Sequence, residues 1–114
     1  MKTDRELLEL AAKASGELTA SWYGNDAYFD GVLSRWNPLN DDGDAMRLAV
    51  ALCLNVFPSK GWCTVRGGTK KAKSDTRFKI VQHYGWDDDY TQDRAKGTRR
   101  AITRAAAAIG ESMP

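Results

Sequence analysis

The chain has 114 residues, of which 28% are charged and 42% are hydrophobic, and its formal net charge is +2. This composition is ordinary for a soluble globular protein, and a chain of this length forms one core, so we expect a single domain over residues 1–114. No run reaches the ~18 apolar residues of a membrane span, and the N-terminus lacks the order of a signal peptide. We therefore expect a cytoplasmic protein with no membrane partner. Its two cysteines, Cys53 and Cys63, are then expected to be small buried residues rather than a disulfide.

Charge is distributed unevenly along the chain. Residues 1–57 carry five Lys/Arg and nine Asp/Glu, whereas residues 58–114 carry twelve Lys/Arg and six Asp/Glu. Such asymmetry indicates an anionic partner, although most charge clusters are simply solvated. The local peak of positive charge consists of Arg66, Lys70, Lys71, Lys73, Arg77 and Lys79.

The first part of the chain has the pattern of a helix followed by two strands. The spacing of Thr3 and Glu6 is that of a capping box, which starts a helix with one apolar stripe, and Gly16 ends it. Residues 18–23 and 27–33 are predicted to be strands, joined by a glycine-asparagine turn that tolerates the positive φ of tight hairpins.

The stretch 36-WNPLNDDGDAMRLAVAL-52 raises a choice between a metal site and the start of a helix. Pro38 disfavours helix just before it, and Asn40 or Asp41 can then cap the exposed N–H groups, with further carboxylates at the positive end of the helix dipole. A calcium loop needs alternating oxygen ligands and a distant bidentate Glu, which this stretch lacks. The helix-start interpretation is therefore favoured. The nearly all-round apolar pattern from Ala45 onward predicts a helix that is buried on more than one side.

Three further strands and a last helix complete the predicted order. The strands are expected at residues 54–57, 62–66 and 77–84, and the polar loop 67-GGTKKAKSD-75 separates the last two. An alanine-rich helix follows and is expected to end near Gly110. The order helix, two strands, helix, three strands, helix predicts an α+β fold with a mostly antiparallel sheet sandwiched by helices.

No set of residues predicts catalysis, a metal or a cofactor. Cys53, Cys63 and His83 are too widely separated for a zinc site, and His83 is expected at the surface of its strand. The chain has no nucleophile elbow, phosphate loop or dinucleotide fingerprint. The run Asp87-Asp88-Asp89 could hold a divalent ion, but successive side chains point in different directions, so a solvated loop is favoured. We expect a protein that is not an enzyme.

Two groups of residues are candidate contact sites. The basic hairpin could follow a phosphate backbone, and arginines of the last helix would add a second contact if they share its face; the alternative is a solvated loop that protects the sheet edge. Trp86 and Tyr90, in a polar loop, are the second choice. Strand aromatics such as Trp62 are expected in the core, and would form a stacking platform for bases only if several were exposed. The candidate cations are Arg66, Lys70, Lys71, Lys73, Arg77, Lys79, Arg99, Arg100 and Arg104.

Three segments of the sequence match a pattern found in phage proteins. They are 3-TDRELLELAAKASG-16, 36-WNPLNDDGDAMRLAVAL-52 and 98-TRRAITRAAAAIGESM-113. Together they resemble the small bacteriophage and prophage proteins grouped as the bacteriophage ABA-sandwich domain. The resemblance implies helices on either side of a sheet and a phage or prophage origin, and it brings no catalytic residues. Our leading hypothesis is an accessory protein that binds a host protein, a protein complex or another macromolecule in an infected or lysogenic bacterium. An anti-defence role, such as that of an anti-CRISPR protein, fits the small size and the implied phage origin.

A second resemblance concerns the chain from residue 41 onward. The order helix, three strands, helix is that of a double-stranded RNA-binding domain, and 97-GTRRAITRAAAA-108 is similar to its Lys/Ala-rich last helix. This resemblance implies that Arg99 and Arg100 meet phosphates across a groove. The preceding helix and hairpin have no place in that fold, so a nucleic-acid-binding module of this layout is the alternative function.

Overall fold

The structure is a computed structural model, and it describes residues 2–15, 20–23, 26–29, 35–67, 78–84 and 93–113. The predicted α+β class is confirmed, with helices packed on antiparallel sheet and with the elements in the predicted order apart from one additional short strand. The helices are α1 (Asp4–Ser15), α2 (Asp42–Ala51) and α3 (Arg94–Ser112). The strands are β1 (Ala20–Tyr23), β2 (Asp26–Phe29), β3 (Arg35–Trp36), β4 (Asn55–Pro58), β5 (Trp62–Gly67) and β6 (Phe78–His83).

The strands form two antiparallel sheets of three strands each in the described part of the chain. In the first sheet β2 lies between β1 and β3, and in the second sheet β5 lies between β4 and β6. The short strand β3 was not predicted, because two residues are too few to show an alternating pattern. Pro58 ends β4 at a sheet edge, where a missing N–H costs no ladder hydrogen bond.

Helix α3 is the central helix of the fold. Its residues Ala101, Ala105 and Ala106 are fully buried and belong to one core cluster with Cys63 and Val65 of β5. Small side chains let the helix approach the second sheet and α1 closely. None of the helices in the described ranges has both the length and the apolar composition needed to cross a membrane.

The last helix ends at Ser112, close to the end predicted near Gly110, and Gly110 itself is a helical residue that is buried where α3 crosses α1. A side chain at this position would collide with the backbone carbonyl of Leu10. The glycine therefore serves a close helix–helix contact, which the sequence pattern does not distinguish from a helix end.

The prediction that α2 is buried on more than one side is wrong. This helix buries Ala45, Leu48 and Ala49 against the core, whereas Met46 is 61% exposed and Val50 is 68% exposed. The apolar pattern runs nearly all round the helix, but α3 packs along one side of it. Helix α2 is therefore a one-sided surface helix.

The carboxylates after Pro38 start α2, as predicted. Asp41 is the N-cap residue, and its side chain accepts a hydrogen bond of 2.8 Å from the backbone N–H of Asp44. Asp44 is itself buried and accepts from the backbone N–H of Asn37 at 2.9 Å and from the guanidinium of Arg47 at 2.6 Å. The helix start and the turn before it are thus one hydrogen-bonded unit.

Helix α2 ends in a Schellman motif with a cysteine at the left-handed position. The N–H of Leu54 donates to the carbonyl of Ala49 at 2.9 Å, and the N–H of Cys53 donates to the carbonyl of Val50 at 3.2 Å. Cys53 has a φ of 54° and is exposed, so its predicted burial is wrong. Cys63 is buried, as predicted, and burial raises the pKa of its thiol. Both thiols are free.

Candidate functional site

The two faces of the second sheet differ in burial. Along β5, Cys63 and Val65 are buried on the side of α3, whereas Trp62 and Arg66 are exposed and Thr64 is half-buried. This alternation follows from the pleat, because successive side chains of a strand point to opposite faces. We call the face that carries Trp62, Thr64 and Arg66 the open face.

The register of the three strands arranges the open face in rows. Directly opposed side chains of neighbouring strands have Cβ atoms about 4.5–5.5 Å apart, so each row is continuous across the sheet. The first row is cationic and polar, the second is largely apolar, and the third pairs a tryptophan with a histidine. In order, the rows are Asn55, Arg66 and Lys79; Phe57, Thr64 and Val81; and Trp62 and His83.

The hydrogen-bond phase of the β5–β6 ladder brings these side chains close together. The N–H of Tyr84 donates to the carbonyl of Gly61 at 3.2 Å, next to the Trp62–His83 pair. Since hydrogen-bonded and non-hydrogen-bonded pairs alternate in an antiparallel ladder, Trp62–His83 is a non-hydrogen-bonded pair, with Cα atoms about 4.5 Å apart. The same phase applies to the other open-face pairs of β5 and β6. Their backbone N–H and C=O groups on β6 consequently point away from β5.

Three large apolar side chains of the open face are accessible to solvent. Phe57 is 51% exposed, Trp62 is 45% exposed and Val81 is 37% exposed. The guanidinium carbon of Arg66 lies 5.9 Å from the centroid of the Phe57 ring, within the range of a cation–π contact. The open face therefore combines flat aromatic surface with positive charge.

Sequence reasoning placed one of these aromatics wrongly and missed the other. Trp62 was expected in the core and is exposed, although its alternation with Thr64 and Arg66 indicates a solvated face. Phe57 was not singled out, because a four-residue strand that ends in proline shows too little pattern to assign a face. Tyr84 and Trp36 are buried, as expected.

Positive charge is concentrated at one end of the open face. Arg66 and Lys79 are both exposed and face each other across the strands, and none of the open-face residues is Asp or Glu. The segment 68–77 lies outside the described residues, but it joins β5 to β6 beyond this row. It carries the remaining cations of the predicted basic hairpin, which are Lys70, Lys71, Lys73 and Arg77.

The last-helix arginines lie on the other side of the second sheet from Arg66 and Lys79, since α3 packs against the buried face. Each donates to acceptors of its own chain. The acceptors are the Leu39 carbonyl (2.9 Å) and Asp42 (2.7 Å) for Arg99, Asp4 (2.9 Å) for Arg100, and the Val81 carbonyl (3.3 Å) and Gln82 (2.8 Å) for Arg104. These arginines therefore tie α3 to α1, α2 and β6, and do not join the open face.

The other candidate residues from the sequence are the loop aromatics, the aspartate run and His83. Trp86, Tyr90 and the aspartates at 87–89 lie outside the described residues. His83 is exposed, as predicted. Within the described ranges, no group of three or more His, Cys, Asp and Glu side chains is placed to hold a metal ion.

The open face thus brings accessible aromatic and cationic side chains together on β4, β5 and β6. No protein-family model, curated protein or solved structure matches this chain. The resemblance to phage proteins accordingly rests on the three sequence segments.

Proposed function

We propose that this chain is a non-enzymatic binding protein that takes single-stranded nucleic acid on its open face. The observation that carries the proposal is the exposure of Phe57 and Trp62 on one flat face beside the Arg66–Lys79 row. Bases stack on aromatic rings with about 1–3 kcal/mol each, and a basic surface follows the phosphates. The two halves of this requirement lie next to each other on β4, β5 and β6.

Single strands fit this surface better than a duplex does. In a duplex the bases are already stacked on each other, and their flat faces cannot reach an aromatic platform. The duplex mode predicted from the last helix needs Arg99 and Arg100 free for phosphates. Both instead donate to acceptors of their own chain, at 2.7–2.9 Å.

Charge favours nucleic acid over a protein partner. Exposed aromatics and arginine are also typical of protein interfaces, so the apolar rows alone would fit either partner. The described residues of the open face include no carboxylate, and residues 68–77, which follow the cationic row along the chain, carry four cations and one aspartate in the sequence. A polyanion is the partner that this balance complements.

We further propose that the protein acts in the cytoplasm of an infected or lysogenic bacterium. The support is the resemblance of three segments to phage and prophage proteins. In that setting a small nucleic-acid binder would serve as an accessory or anti-defence protein, and an anti-CRISPR role is one such function.

The test is fluorescence anisotropy with labelled single-stranded RNA, single-stranded DNA and a matched duplex. Single strands are expected to bind more tightly than the duplex, with log affinity falling against log salt by about 0.7 per neutralised phosphate. Trp62→Ala and Phe57→Ala are each expected to weaken binding by about 5- to 150-fold, the equivalent of one lost stacking contact. Replacing Arg66 and Lys79 by Glu is expected to flatten the salt dependence.

Met46→Ala is the matched control, because Met46 is at least as accessible as Phe57 and Trp62 but lies on α2. It is expected to bind like the wild type. Absence of binding at low salt would refute the proposal. Preference for the duplex, unaffected by Trp62→Ala, would instead support the double-stranded RNA-binding alternative.

A further inference from the structure

A groove of about 460 Å³ lies between α1, α3 and β6, on the side of the second sheet opposite the open face. Its size is within the usual range of ligand sites. Its apolar lining comes from Leu7 of α1, Ile80 of β6, and Ala107 and Ala108 of α3. Its charged lining consists of Lys2, Arg100, Arg104 and Glu111, so the groove has an apolar wall and a rim with three cations and one carboxylate.

The groove borders β6 through Ile80 and Gln82, and β6 is an edge strand of the described sheet. From the phase of the ladder, the backbone groups of Lys79, Val81 and His83 point outward at this edge. The Val81 carbonyl accepts a long hydrogen bond of 3.3 Å from Arg104. The N–H groups of the same three residues point outward too, and these are the donors that an added strand uses.

The charges of the groove favour an acidic ligand. Lys2 pairs with Glu111 at 2.9 Å, and Arg100 pairs with Asp4 at 2.9 Å. The acceptors of Arg104 are the neutral Val81 carbonyl and the side-chain amide oxygen of Gln82. Among the described residues no carboxylate forms an ion pair with Arg104.

We propose that this groove binds a short acidic peptide, which adds to the edge of β6 as an extended fourth strand. Strand addition obtains affinity from main-chain hydrogen bonds and specificity from alternate side chains. A carboxylate of the peptide takes the guanidinium of Arg104 in a charge-assisted, bidentate pair, which is stronger than its present bonds to neutral oxygens. Arg104 then leaves the Val81 carbonyl, and that carbonyl becomes available to the incoming strand.

A purely protective role of Arg104 explains less of the geometry. Capping one edge carbonyl is a common way to prevent unwanted pairing. It does not account for an adjoining groove with an apolar wall at Leu7 and Ile80 and a second arginine on its rim. Peptide binding accounts for the edge, the groove and the charge together. This site is separate from the open face and does not depend on nucleic-acid binding there.

The experiment uses the full chain and a fluorescein-labelled peptide of alternating glutamate and valine. The first control peptide has lysine in place of each glutamate, and the second is methylated on alternate backbone nitrogens, which blocks strand pairing without changing charge. The glutamate peptide is expected to bind and neither control is. Arg104→Gln is expected to weaken binding by about 10- to 150-fold, the loss of one hydrogen-bonded charge pair. Arg94→Gln, on an exposed residue of the same helix outside the groove, is expected to have no effect.

Four outcomes would overturn the proposal. The glutamate peptide could fail to bind, or bind Arg104→Gln as tightly as the wild type while circular dichroism shows both folded. The N-methylated peptide could bind equally well, which would reduce the interaction to charge attraction without strand addition. A single-stranded oligonucleotide could displace the peptide through Arg104, which would assign the groove to phosphate instead.

Discussion

Replacing Asp44 by asparagine tests whether the carboxylates after Pro38 are structural. The Asp44 side chain is 10% exposed, and its two oxygens have different donors. One accepts from the backbone N–H of Asn37 at 2.9 Å, and the other accepts from the guanidinium of Arg47 at 2.6 Å. Asparagine keeps one oxygen and turns the other into a donor, so one of the two bonds must be lost.

The magnitude follows from which bond is lost. The amide oxygen is expected to turn toward the buried N–H of Asn37, because an unsatisfied buried donor costs about 1–3 kcal/mol. The amide nitrogen then faces Arg47, whose side chain is 73% exposed and can move into solvent. Two losses remain. The hydrogen bond from the Asn37 N–H no longer has a charged acceptor, and the surface ion pair with Arg47 is gone, which together lower the free energy of unfolding by about 1–2 kcal/mol. The midpoint of thermal unfolding is expected to fall by roughly 4–16 °C, at about 4–8 °C for each kcal/mol.

Asp41→Asn is the matched control. Asparagine caps helices about as well as aspartate, so this variant is expected within about 0.5 kcal/mol of the wild type. Urea unfolding followed by tryptophan fluorescence measures both variants. Calcium or magnesium is expected to leave the wild-type midpoint unchanged, since a bound ion would raise it with concentration. A fully stable Asp44→Asn variant, or a cation-dependent rise that both variants abolish, would refute the structural role.

Four further predictions concern packing, the end of α2 and the two thiols. Gly110→Ala is expected to lower the free energy of unfolding, measured in urea, by about 1–3 kcal/mol. The new Cβ would meet the Leu10 carbonyl, and this clash outweighs the gain of ~1 kcal/mol in helix propensity. A stabilised variant would contradict the close contact. Cys53→Gly is expected to stabilise by about 1 kcal/mol, since glycine adopts the φ of 54° without strain, and an unchanged midpoint would argue against it. Iodoacetamide is expected to label Cys53 in the native protein and Cys63 only on unfolding, and equal labelling by peptide mass spectrometry would contradict the burial of Cys63. Burial raises the pKa of the Cys63 thiol from its ordinary value of 9.0, so the thiol loses its proton at a lower pH in the unfolded chain than in the folded protein. The free energy of unfolding is therefore expected to fall as pH rises above 9.0, and to fall less steeply in Cys63→Ala.

Much of the secondary structure could be predicted because its causes are local. Asp41 can cap a helix through its own neighbours, and the spacing of Thr3 and Glu6 does the same for α1; the Thr3 side chain accepts from the N–H of Glu6 at 3.2 Å. Strand alternation assigned His83 to the surface correctly. The cationic half of the candidate site, Arg66 and Lys79, was also readable from the sequence, since charge is a property of residue type.

The exposure of the aromatic side chains of the site could not be predicted from residue type. Phe57 and Trp62 are large and apolar, and residue type alone places such side chains in the core. Whether a sheet face is covered depends on how many helices pack on it, and this is decided by contacts between distant parts of the chain.

The sequence by itself determined the α+β class, the order of the elements other than β3 and the start of α2, because capping, turn chemistry and periodicity act between residues a few positions apart. Only the tertiary structure decided that α3 is the central helix, that α2 is one-sided and that the second sheet has an open face. The alanines of α3 are the physical reason. Side chains as small as Ala101 and Ala105 let one helix contact both α1 and the second sheet, and the face of that sheet away from α3 carries Phe57 and Trp62 into solvent.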